Sequence, residues 1–129
     1  MATTSDFYFN AGVSTAMSAF RRVLVAPDGK VALATTTNRG IGVLQKDVAG
    51  QTYESAAVRL WGTGTQKITL AGTTGVAIGD AVYACADGRI SGVVTGSITV
   101  GTGTTVGIVV ATAPTALGDI LEIVPTYTV

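Results

Sequence analysis

The 129-residue chain carries eight basic and eight acidic side chains, no histidine and a single cysteine, for a formal net charge of zero. Without histidine the commonest general base and metal ligand are missing, and a lone thiol excludes internal disulfides, CxxC redox pairs and thiolate zinc sites. Only 12% of the residues are charged, so no basic face is offered to nucleic acid; no nucleic-acid partner, cofactor or metal, and no enzyme activity, is expected.

The N-terminus, Met1-Ala2-Thr3-Thr4-Ser5-Asp6, lacks the basic start and apolar core of a signal peptide. No apolar run approaches the ~18 residues of a membrane span. Synthesis in the cytoplasm and no membrane partner are the expectations. Residues 1–20 hold Phe7, Tyr8, Phe9 and Phe20, four of the eight aromatics, with no charge between Asp6 and Arg21. Val13, Met17 and Phe20 would share one face of a short helix over 13–20, but the segment also reads as an extended arm. Its aromatics either fold back on the chain's own core or anchor the arm on a neighbour.

From Arg21 onward the best helix formers are scarce, and β-branched residues dominate between glycine and Asp-Gly breaks. Strands are predicted at 21–26, 30–36, 40–46, 56–61, 66–71, 81–84, 89–94, 106–112 and 119–124. Asp28-Gly29 and Asp87-Gly88 are each placed for a two-residue type I′ hairpin turn. Gly107-Ile108-Val109-Val110-Ala111 is wholly apolar, which suits burial on both faces, by a sandwich, a closed barrel or a neighbouring subunit.

The chain repeats itself. Val23–Val31 matches Val82–Ile90 at a spacing of 59, Ile41-Gly42-Val43 matches Val106-Gly107-Ile108, and Val58-Arg59-Leu60 matches Leu121-Glu122-Ile123. Two four-strand units, about 21–63 and 80–126, are expected, joined by a linker strand at Lys67-Ile68-Thr69-Leu70. Neither unit buries its apolar face alone. The fold class is all-β: a small barrel or two-sheet sandwich in one domain over 21–129, with the arm over 1–20.

Most candidate chemistry has a simpler structural reason. Asp28 and Asp87 are equivalent in the repeats and would resemble a carboxylate dyad if brought together, but Asp-Gly is sufficiently explained by the turn. Gly62-Thr63-Gly64-Thr65 and Gly101-Thr102-Gly103-Thr104 lead into no helix and lack the lysine of a phosphate loop. Cys85 lies in an apolar run as a small buried hydrophobe. Serines lack histidine, and no S-x-x-K supplies a lysine base. Arg21, Arg22, Arg39, Lys46 and Arg59 read first as strand-edge solvation, and second as rim contacts to an acidic partner. Trp61 suits either a core or an interface.

Gly79-Asp80-Ala81-Val82-Tyr83-Ala84, Asp87-Gly88-Arg89-Ile90, Thr105-Val106-Gly107-Ile108-Val109 and Gly118-Asp119-Ile120-Leu121-Glu122-Ile123, in this order, resemble the phage capsid cement (head decoration) protein family over residues ~20 to 125. The loop Val48–Ala57 is longer than the family pattern, and the first 20 residues depart from it. The resemblance implies a structural protein on the outer surface of an assembled phage head, which it stabilises. It implies the major capsid protein and further copies of itself, as a homotrimer, for partners. Phe7, Tyr8, Phe9, Phe20, Arg59 and Trp61 are the residues expected at such contacts. The alternative is a receptor- or glycan-binding β-domain of a phage fibre or adhesin, although two Asn and three Gln supply few amides for a glycan.

Overall fold

A computed structural model describes residues 8–51, 53–62, 64–71, 76–92, 104–111 and 120–126. Among the described residues ten strands form two antiparallel five-stranded sheets. The first holds β1 (Tyr8–Gly12), β2 (Arg22–Val25), β3 (Val31–Leu33), β4 (Gly42–Leu44) and β5 (Ser55–Leu60) in the order β1-β5-β4-β2-β3. The second holds β6 (Gln66–Thr69), β7 (Ala81–Ala84), β8 (Ile90–Ser91), β9 (Thr105–Ala111) and β10 (Ile120–Pro125) in the order β6-β10-β9-β7-β8. The fold is all-β, as the composition predicts, and no α-helix occurs among the described residues.

The second order is the first with every strand advanced by five. The duplication is therefore real, but its unit has five strands, not four. The expected linker strand is β6, the opening strand of the second unit, and its counterpart is β1. From Tyr8 onward the segment expected as an arm is woven into the first sheet: β1 pairs with β5, Val13 bridges Val31 and Met17 bridges Val48. The helix considered over 13–20 is absent. The parallel bridge Val13–Val31 recurs as Leu70–Ile90, which fixes the equivalence of the opening strands.

Pairing also corrects the repeat register. Arg22 stands opposite Val43, which stands opposite Arg59. In the second unit Ala81 stands opposite Ile108, which stands opposite Val124. The amide of Trp61 donates to Ile41 O, and that of Thr126 donates to Val106 O. Arg59 is thus equivalent to Val124, two residues beyond the match read from V-R-L; a bulge between Glu122 and Ile123 hides the offset.

The two Asp-Gly turns differ. At the first, Ala26 N donates to Lys30 O and Gly29 N to Ala26 O, and only Gly29 has positive φ (82°). This is a three-residue Pro27-Asp28-Gly29 loop with a type I turn, so the expected two-residue turn is corrected here. Proline at its second position fixes φ for that alternative. At the second, both Asp87 (φ 57°) and Gly88 (φ 80°) are left-handed.

Each sheet has its own core. One cluster joins Val13, Met17, Val23, Val31, Leu44, Val48, Ala56 and Val58. The other joins Ile68, Leu70, Val76, Val82, Ala84, Ile90, Val106, Val109, Leu121 and Ile123, and it also takes Val43 from β4. Successive residues of a strand face opposite ways, so Val43 and Leu44 feed different cores.

Candidate interaction surface

Where the first unit meets the second, its outward row becomes an internal joint. Arg22 is fully buried, and its guanidinium donates to backbone carbonyls on both sides of the joint. Three belong to its own unit: Asn38 O (2.6 Å), Thr35 O (3.2 Å) and Arg39 O (3.3 Å). Two belong to the other: Cys85 O at 2.7 Å and Arg89 O at 3.2 Å. A planar fork with five N–H donors can bridge both sides at once. Burial holds its pKa down to about 10, so it remains a cation at neutral pH. Strand-edge solvation does not describe Arg22, because the carbonyls that cover it lie 63 and 67 residues further along the chain.

The rest of the joint surrounds that clamp. Arg89 binds the Asp87 carboxylate through two donors at 2.8 and 2.9 Å, and Arg21 Nη1 reaches Asp87 O at 3.2 Å. Asp28 instead accepts the Lys30 amide at 3.0 Å in its own loop, so the two aspartates do separate work and form no dyad. A methyl group on Gly88 would meet Arg22 O at 2.5 Å, which measures how closely the β7–β8 hairpin lies on β2.

Of the residues singled out from sequence, Phe7 lies outside the described residues. Tyr8 and Phe9 pair through their backbone with Arg59 and Val58 in β1–β5. Phe20 is half-buried against the second core with positive φ (62°); its amide donates to Leu44 O and its carbonyl accepts from Thr69 N. Trp61 also lies on the second core, donates from Nε1 to Gly40 O at 2.9 Å and carries the Arg39 guanidinium 4.8 Å from its ring centre. Arg59 Nη1 donates to Thr65 O at 2.9 Å. Phe20 and Arg59 line a cleft of about 330 Å³ with Gln45, Thr65, Lys67 and Glu122. These three side chains therefore hold the two units together.

The joint offers little chemistry of its own. Cys85 is buried, and desolvation pushes its thiol up to about 11, which keeps it protonated and unreactive at neutral pH. Glu54 is half-buried; its carboxylate accepts the amides of Ala49, Gly50 and Gln51, which hold its pKa below the ordinary value and order that loop. Among the described residues no group of three His, Cys, Asp or Glu side chains could hold a metal.

What sequence reasoning missed is the outward face of the second sheet. Ile108 (40% exposed), Val110 (38%), Ile120 (42%) and Val124 (38%) stand open on β9 and β10, with Ile78 (61%) in the loop beside them. The signal was the wholly apolar run Gly107–Ala111 of β9, which demands cover on both faces. Among the described residues only one face receives it.

No protein-family model matches the chain, and no curated protein does. A solved structure, the head fiber gp8.5 N base of bacteriophage phi29, is similar over 94% of this chain and 94% of that one, with a TM-score of 0.68 and 18% identity. At that identity the likeness is one of fold, and it extends through both five-stranded units.

Proposed function

We propose that the chain is a structural protein of a bacteriophage head, displayed on the outer surface of the capsid. The observation that carries the reading is the near end-to-end fold match to a head fibre base. The sequence motifs of head decoration proteins, the low charge and the open apolar sheet face support it. The finer reading is a cement protein: a homotrimer that contacts the major capsid protein, bridges neighbouring coat subunits and stabilises the shell, after assembly in the host cytoplasm. Linked protomers would hold on through avidity, since release of one contact leaves the others engaged. Tyr8 and Phe9, which open the edge strand β1, are proposed as coat contacts together with Phe7. No cofactor, metal, nucleic acid, membrane or catalytic step enters the proposal.

The second reading is a base domain that carries a fibre or receptor-binding part, favoured by the description of that same structure. Purified protein added to bare shells of the coat protein from the same genome separates them. Saturable binding with raised thermal resistance of the shell supports cement. Binding without any gain in resistance supports a base domain, and no binding at all overturns head attachment.

A further inference from the structure

The two units are joined in a way that can be repeated. In the first unit the outward row is Arg22, Val43 and Arg59, and it is covered in cis: Val43 enters the second core, Arg22 donates to second-unit carbonyls, and β4 lies against β6. The equivalent row of the second unit is Ala81, Ile108 and Val124, in the same cross-strand register. It carries no charge; Ile108 and Val124 are open and Ala81 is half-buried.

The receiving surface shows the converse. In the second unit Ile68 and Val106 are buried in the core that takes in Val43, and Pro125 is buried at the end of β10. Their equivalents in the first unit, Ala11, Ile41 and Leu60, are only partly buried at the edge of the first core. Among the described residues none plays the part of Val43 there. One end of the molecule thus presents an uncovered outward row, and the other an uncovered core edge; within the chain the same two kinds of surface are already fitted together.

We infer that the open face of β9 and β10 docks on the first core of a second copy of this chain, repeating between molecules the joint found between units. The contact is continuous with the internal interface, because each unit offers the next its outward row. Zero net charge lets copies approach without electrostatic penalty. A contact between unlike surfaces is heterologous, so it must close into a ring or grow as a filament. The ring is the form that fits the homotrimer of the proposed function. The inference shares only self-association with that reading; shell binding plays no part in it, so each can fail separately.

The test uses the full chain in solution. Sedimentation of the wild type is expected to show a closed species at a multiple of the 13.0 kDa protomer. Ile108→Lys and, separately, Val124→Lys are expected to sediment as monomers with melting temperatures close to wild type, because both side chains are already exposed. Cysteine pairing tests the geometry with conservative changes: a mixture of Ala11→Cys and Ile108→Cys chains should cross-link, and Ile108→Cys alone should not. Cys85 is buried and serves as a silent background. A monomeric wild type at high concentration, unchanged assembly of both lysine variants, or cross-linking of Ile108→Cys to itself overturns the inference. Open-ended growth supports the contact and removes the trimer from the proposed function.

Discussion

Replacing Arg22 with methionine probes the joint between the units most sharply. Methionine keeps much of the apolar stem and removes every guanidinium donor. The two shortest bonds, 2.6 Å to Asn38 O and 2.7 Å to Cys85 O, tie one unit to the other. A buried carbonyl left without its partner costs about 1–3 kcal/mol, so two at the lower middle of that range cost about 3 kcal/mol. The bonds at 3.2–3.3 Å add less, and release from burying a cation returns part of the loss. The expected net loss is about 3 kcal/mol, or roughly 10 °C in melting temperature for a chain of this size. Urea unfolding followed by Trp61 fluorescence measures it, since Trp61 is the sole tryptophan and sits on the joint. Arg22→Lys should recover less than half, because one ammonium has three donors and cannot span both sides. A loss under about 1 kcal/mol for the methionine variant would refute the assignment of Arg22 as the clamp.

Gly88→Ala and Gly29→Ala form a matched pair: both glycines have φ near 80°, but only at Gly88 does the added methyl meet the backbone of Arg22. Gly29→Ala should cost about 1 kcal/mol of backbone strain, and Gly88→Ala clearly more; equal costs in chemical unfolding would contradict the close seating of the hairpin. Cys85 should stay unlabelled by a thiol reagent at pH 8 until denaturant is added. The unfolded thiol loses its proton near pH 9 and the folded one near 11, so the folded chain holds the extra proton between them and stability should fall as pH rises through that window. Glu54→Gln should speed hydrogen exchange at the Ala49, Gly50 and Gln51 amides. In the parent chain this protection should be complete above the ordinary carboxylate pKa and lost only as pH falls through the lower folded value.

Nine of the ten strands were legible because glycine and Asp-Gly punctuate short β-branched runs. β1 was not, since Asn10 and Gly12 weaken its strand signal and its partner β5 lies almost fifty residues away. The duplication was visible in V-x-x-A-x-D-G, but its fifth strand was not, because β1 and β6 share almost no sequence: Tyr8-Phe9-Asn10-Ala11-Gly12 against Gln66-Lys67-Ile68-Thr69. The joint was the least legible part. Arg22 looks like any strand-edge arginine until residues 35, 38, 39, 85 and 89 converge on it, which only tertiary structure shows. Phe20, Arg59 and Trp61, expected at contacts with a partner, make contacts within the chain that the sequence did not show. The apolar β9 pointed to cover on both faces, and the open Ile108 and Val110 are what it left unmet.

Imaging phage particles that carry the chain, with and without its deletion, tests head attachment most directly. The account predicts paired five-stranded density on the outer capsid surface, at positions where coat subunits meet, which disappears on deletion. Particles identical in both preparations, or density confined to the tail, would contradict it.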